Sequence, residues 1–288
     1  MPDFPIIDAH VHLWDPSHFR ISWLDGIPLL DKPYGVADYR AHTMDVAIEG
    51  IVYVEVDVNA HYALLEASWA ADRAREDTLL LGVVAHAPLE YGERVRAYLD
   101  ALTALGPRIK GVRRIVQDEL DEQFSLQPDF VRGTQLLADY GLSCDICIRH
   151  NQLVAINELV RVCPDTAFIL DHLGKPDIKE HKLDPWREQI QEVASHPNVV
   201  CKVSGMVTEA DTQHWTLDDL APYVTHVLDV FGEDRVVFGG DWPVALQATG
   251  YARWIEALDT LTAHLSPQVK RKLWAENARR FYRLGSTH

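Results

Sequence analysis

Short runs of β-branched and other apolar residues recur along the chain. Between them lie longer stretches whose apolar positions return every three or four residues. The runs are PIIDAHV (5–11), GIVYVEV (50–56), LLLGVVAH (79–86), IKGVRRI (109–115), LSCDICI (142–148), AFILDH (167–172), VVCKVSG (199–205) and RVVFGGD (235–241). Each has the length and composition of a buried strand. The intervening segments 61–77, 92–105, 127–140, 152–163, 184–196 and 216–231 carry the helical period. Strand–helix alternation throughout predicts a parallel sheet, and eight such units in under ~300 residues predict a (β/α)8 TIM barrel. An open doubly wound sheet is the alternative, but no glycine-rich phosphate loop follows the first run. With no linker, repeat or low-complexity tract, residues 1–288 are expected to form a single domain.

One connection breaks the rhythm. Residues 14–35, WDPSHFRISWLDGIPLLDKPYG, hold Trp14, Phe19, Trp23 and Tyr34 together with three prolines. Such a segment is too aromatic for a solvated linker. On a barrel it follows the first strand at the C-terminal face, where active sites lie, and is expected to wall a pocket.

Composition narrows the partners. A formal charge of −16 argues against nucleic acid and anionic membrane, whose phosphates require clustered Lys and Arg. No opening signal segment and no apolar run of ~18 residues is seen, so a soluble, cytoplasmic protein is expected. The four cysteines include Cys144-Asp-Ile-Cys147, but this CxxC sits inside an apolar run and reads as core.

The ionisable and polar residues gather where the runs stop: His10 and His12, Glu55, His86, Arg113 and Arg114, Asp145, Asp171 and His172, Lys202 and Ser204, Asp241. Buried groups of this kind are costly unless paired or used, and their recurrence at strand ends points to a site. Alone, His10 and His12 could be two half-buried histidines on an edge strand, and Asp241 could cap the helix after Pro243.

These stretches resemble a known family. IIDAHVHLWD (6–15), DHLGKP (171–176) and GGDWP (239–243) are similar to motifs of the amidohydrolase superfamily, in particular its branch of sugar-lactone hydrolases and related decarboxylases. KGVRR (110–114), CDICIRHNQL (144–153) and KVSG (202–205) extend the likeness in order along the whole chain. The resemblance implies a (β/α)8 barrel, with His10 and His12 as the strand-1 pair, His172 the strand-6 histidine and Asp241 the strand-8 aspartate. Two features depart from the pattern. Lys110 begins strand 4 where many relatives carry a carboxylated lysine at the end, and Asp145 replaces the strand-5 histidine; His150 lies past the strand. A binuclear metal site is therefore not expected. His10, His12 and Asp241, with Glu55 as a further candidate, could hold one zinc ion with an open fourth position, and a metal-free site fits the lost strand-5 ligand.

Read on that resemblance, Asp241 is the general base toward water, and His172 polarises the carbonyl or shuttles the proton, oriented by Asp171. His10, His12 and the strand-4 arginines supply positive potential. Arg113, Arg114, Glu55, Asp145, Lys202 and Ser204 are the expected substrate contacts, with Trp14, Trp23 and Trp242 as walls. Period 2 puts Arg113 and Arg114 on opposite faces, so one points inward. A single inward arginine and the acidic balance favour a neutral sugar lactone such as L-fucono- or L-rhamnonolactone. A zinc-dependent decarboxylase and a dicarboxylate lactone hydrolase are the alternatives within the superfamily. A non-catalytic sugar-acid binder is the alternative outside it.

Overall fold

In a computed structural model of the protein, which describes residues 1–285, each of the eight apolar runs forms a strand. They are β1 (Ile6–Val11), β2 (Ile48–Val54), β3 (Leu80–Ala85), β4 (Ile109–Arg113), β5 (Ser143–Ile146), β6 (Phe168–Leu170), β7 (Val199–Val203) and β8 (Val236–Phe238). The last three positions of the expected 1–288 unit lie outside the described residues. Neighbours pair in parallel in the order β1 to β8, and the seam between β8 and β1 is closed by backbone bonds. Asp241 N donates to the His10 carbonyl at 2.8 Å, and His12 N donates to the Trp242 carbonyl at 2.7 Å. The result is a (β/α)8 barrel.

The strands are shorter than their apolar runs. β6 stops at Leu170 and β8 at Phe238, so Asp171, His172 and Asp241 stand on the loops that leave the barrel. Two helices that the periodicity did not mark, Val36–His42 and Tyr251–Leu261, complete the outer ring. The expected helix over 92–105 is broken: a 3-10 segment runs through Val95, and the α-helix is Arg96–Thr103. Gly92 sits at φ +57 inside that segment, which explains the break.

The barrel interior changes character along its axis. Its lower part is apolar, built from residues such as Ile7, Val52, Leu81, Ile169, Val200 and Val237. The chain's C-terminal segment plugs this end with Ala275, Ala278, Tyr282 and Leu284. Above the plug the interior is charged. Asp145, Asp171, Arg113, Lys202 and Glu55 are all buried there and pair in charge with one another, which offsets the cost of burying them.

Outside the barrel, Glu66 on the helix Ala63–Glu76 is also buried. Its Oε1 accepts from Tyr53 Oη and Val56 N, both at 2.7 Å, whereas Oε2 has no partner. Burial and the nearby Glu55 push its pKa from an ordinary 4.5 to about 8. The folded protein therefore keeps a proton that the unfolded chain gives up, so stability falls as pH rises from about 4.5 to about 8 and then levels. Glu66→Gln should lose that slope. Thermal midpoints of the two proteins, compared at pH 5 and pH 9, are expected to diverge in favour of the variant at the higher pH.

Candidate functional site

A cavity of about 240 Å3 opens at the C-terminal ends of the strands. His12, Arg113, His172 and Asp241 face it, Trp23 forms one wall, and Gln117, Cys147 and Lys175 form another. Local backbone features aim these groups.

β1 pairs Asp8 with Ile51 but Val11 with Tyr53, so the strand holds one extra residue between those points. This bulge re-aims the side chains. Asp8 turns outward to the hydroxyls of Tyr39 and Tyr251, while His10 and His12 both enter the barrel. The turn after β6 carries His172, Leu173 and Lys175 at φ near +50, and Asp241 sits at φ +52. Non-glycine residues in this region are costly and gather at functional sites.

Glycines make the remaining room. A Cβ on Gly205 would stand 2.4 Å from His172 Nδ1, and one on Gly239 would stand 2.8 Å from His10 Cβ.

Three ligand atoms meet at the cavity floor. His10 Nε2 and His12 Nε2 are 3.2 Å apart. Asp241 Oδ1 lies 3.7 Å from the first and 3.5 Å from the second. His12 Nδ1–H donates to the Val54 carbonyl at 2.8 Å, which leaves Nε2 as the lone-pair nitrogen. Tetrahedral zinc with bonds of 2.0–2.1 Å spaces its ligands about 3.3 Å apart, so His10, His12 and Asp241 fit one such ion.

Electrostatics set the charge states. Burial would raise the Asp241 carboxyl, but the neighbouring His172, which takes up its proton first as pH falls, outweighs it and holds the carboxyl below the usual carboxylate range. Burial lowers His172 to about 4 and His10 well below its ordinary value, so both rings are neutral at pH 7. Asp241 accepts no cap role: the short helix Val244–Gln247 begins at Pro243 without a side-chain bond.

The sequence-derived contacts divide sharply. Arg113 points inward and Arg114 does not. Arg114 pairs with Glu90 and Glu119 away from the cavity, so its expected substrate role is corrected. Glu55, Asp145 and Lys202 are also corrected, being counter-charges beneath the cavity. Glu55 Oε1 takes Arg113 Nε at 2.6 Å, and Lys202 Nζ lies 3.1 Å from Asp145 and 2.8 Å from Asp171. Burial pushes the Asp145 carboxyl up to about 6 against the pull of Lys202. Ser204 is buried, and its Oγ holds His172 Nδ1 at 2.9 Å. It is therefore Ser204, not Asp171, that orients His172; Asp171 is engaged by Lys202 and Arg113.

Of the tryptophans, only Trp23 walls the cavity, its indole donating to the Val56 carbonyl. Trp14 is buried under the 14–35 loop, donating to the Leu30 and Lys32 carbonyls. Trp242 packs outward against Tyr34 and Tyr39. The loop is thus a small aromatic core that presents one ring to the site.

Lys175 and Gln117 were missed. Lys175 Nζ donates to Gln117 Oε1 at 2.5 Å at the cavity wall. Both stand just past strand ends, where the rule that found Asp241 also applies. Cys147, read as core, is buried yet lines the cavity, while all four cysteines are free thiols.

An ionised carboxylate and two histidines facing one cavity at this end of a (β/α)8 barrel define a site for polar bond-breaking on a small molecule. The chain belongs to the amidohydrolase family, whose model matches residues 7–284. It is 30% identical over 302 residues to an L-fucono-1,5-lactonase of Burkholderia multivorans, covering 96% of each chain. It is 28% identical to an L-fucono-1,5-lactonase of Burkholderia ambifaria, covering 96% of this chain and 95% of that one. Among solved structures, an amidohydrolase of Burkholderia multivorans with bound zinc superposes with a TM-score of 0.89 at 27% identity, over 98% of this chain and 100% of that one. Among the described residues, no helix is long and apolar enough to cross a membrane.

Proposed function

We propose that this chain, acting as one catalytic domain, hydrolyses a neutral sugar lactone of the L-fuconolactone kind to its sugar acid. The observation that carries this reading is the charge of the cavity. Its wall holds three carboxylates, Asp57, Asp118 and Asp241, against two cations, Arg113 and Lys175. Arg113 has little left to offer an anionic substrate. Its Nε and Nη2 are taken by Glu55, and its Nη1 by Asp171. A bidentate clamp on a substrate carboxylate needs a guanidinium edge that is free, which disfavours a dicarboxylate lactone. The lactonase names of the relatives support the same reaction.

Asp241 takes a proton from water as its oxygen attacks the lactone carbonyl carbon. The tetrahedral oxyanion then collapses, the ring C–O bond breaks, and the leaving alkoxide recovers the proton from Asp241. His172, held at Nδ1 by Ser204, turns Nε2 toward the carbonyl oxygen, and Arg113 lends positive potential below it. A zinc ion held by His10, His12 and Asp241 would add Lewis-acid polarisation of the carbonyl.

Proton release from L-fucono-1,5-lactone, measured with chelator-treated and zinc-loaded enzyme, tests the proposal. Turnover well above the spontaneous rate in either preparation supports it. No acceleration of any neutral lactone in both preparations would overturn it. Within that assay, Gly205→Ala should lower kcat by roughly 10- to 100-fold, because the new methyl displaces His172 from its Ser204 contact. An unchanged kcat would remove His172 from the mechanism.

A further inference from the structure

His10 is the most crowded group in the site, and each of its ring nitrogens faces both a donor and an acceptor. Nδ1 lies 3.1 Å from Lys202 Nζ and 3.4 Å from Asp171 Oδ1. Nε2 lies 3.3 Å from Arg113 Nη1 and 3.2 Å from His12 Nε2. A neutral imidazole carries one proton, so it satisfies one arrangement or the other. With the proton on Nε2, His10 donates to the His12 lone pair and accepts from Lys202 at Nδ1. With the proton on Nδ1, it donates to Asp171, and Nε2 becomes a lone pair that can bind a metal.

We infer that Lys202 is a positioning residue that holds His10 as its Nε2–H tautomer in the metal-free protein, so that zinc can bind only by driving the proton to Nδ1. Three observations favour this. Lys202 is fully buried and can only donate, and at 3.1 Å from Nδ1 it favours a bare nitrogen there. His12 is fixed by the Val54 carbonyl with its lone pair toward His10, and two lone pairs 3.2 Å apart would repel. Arg113, which favours the other tautomer, is farther from the ring and already shared with Glu55 and Asp171.

The alternative state is also built in. Asp171 Oδ1 is buried without a hydrogen-bond partner of good geometry, although Lys202 Nζ is 2.8 Å away. It is placed to accept Nδ1–H once Nε2 turns to a metal, the carboxylate–histidine–metal arrangement. In that exchange Nε2 gives up one proton and Nδ1 takes one, so His10 stays neutral. Lys202 thereby sets the balance between a metal-free site, with an N–H donor at its floor, and a zinc site.

The tautomer is a property of the free protein and stands apart from which lactone is turned over. The test is 15N NMR of the histidine side chains in the metal-free full-length protein at constant pH, with His10 assigned by loss of its signals in His10→Gln. The expected result is a protonated, pyrrole-type Nε2 and a bare Nδ1, exchanging places when zinc is added. Lys202→Met should bind zinc at least about tenfold more tightly in a chelator competition. A protonated Nδ1 in the metal-free wild type would overturn the inference, as would a zinc affinity unchanged or weakened by Lys202→Met. Should that variant not fold, the wild-type spectrum decides alone.

Discussion

Asp241→Asn is expected to lower kcat/KM for a neutral lactone by about 10²- to 10⁴-fold, the scale of a lost general base. The substitution is nearly isosteric, and asparagine tolerates the φ of +52 at this position as aspartate does. Its backbone contacts, N to the His10 carbonyl and O from Ala245 N, do not involve the side chain. The thermal midpoint should therefore stay within a few degrees, and the loss will be one of chemistry. If the reaction uses the carboxylate as base, kcat falls and KM moves little. A variant with near-wild-type turnover would show that Asp241 does not take the proton.

The second large effect falls on stability. Arg113→Met removes the cation that Glu55 and Asp171 share at the centre of the barrel. Leaving buried carboxylates unpaired costs about 3–5 kcal/mol, which for a chain of this size lowers Tm by roughly 6–20 °C. Glu55 is held below its ordinary pKa because Arg113 outweighs its burial. In the variant it should take up a proton, and part of the lost stability should return at low pH. Adding Glu55→Gln to Arg113→Met should recover several degrees, since the variant then buries one charge fewer. A double variant no more stable than the single would mean that Asp171, not Glu55, bears the cost.

How far the amino-acid sequence discloses this site depends on what each residue pairs with. The eight strands follow from apolar runs bounded by turns, and His12, Arg113, His172 and Asp241 all lie where those runs end. Strand-end position does not say how deep a side chain sits. Lys202, Asp145 and Glu55 occupy the same kind of position, but they point into a charged layer beneath the cavity, which a barrel expected to be apolar inside gave no reason to foresee. Asp8 shares the parity of His10 and His12, yet a bulge visible only in the pairing of β1 with β2 turns it outward. Trp14 and Trp242 lie within two residues of His12 and Asp241 in sequence, but the pairing of Trp14 with Tyr34 and of Trp242 with β1 across the closing seam sends their rings into the surrounding core. Ser204 replaces Asp171 as the partner of His172 because the left-handed turn after β6 swings the imidazole toward β7.

The most direct measurement is the ratio of kcat/KM for L-fucono-1,5-lactone to that for a lactone carrying two free carboxylates, on the same enzyme preparation. A cavity with three carboxylates on its wall and its one inward arginine already engaged predicts a ratio above about 10², since unpaired like charges each cost several kcal/mol. A ratio below one would contradict the account and show that Arg113 releases its partners to hold an anionic substrate.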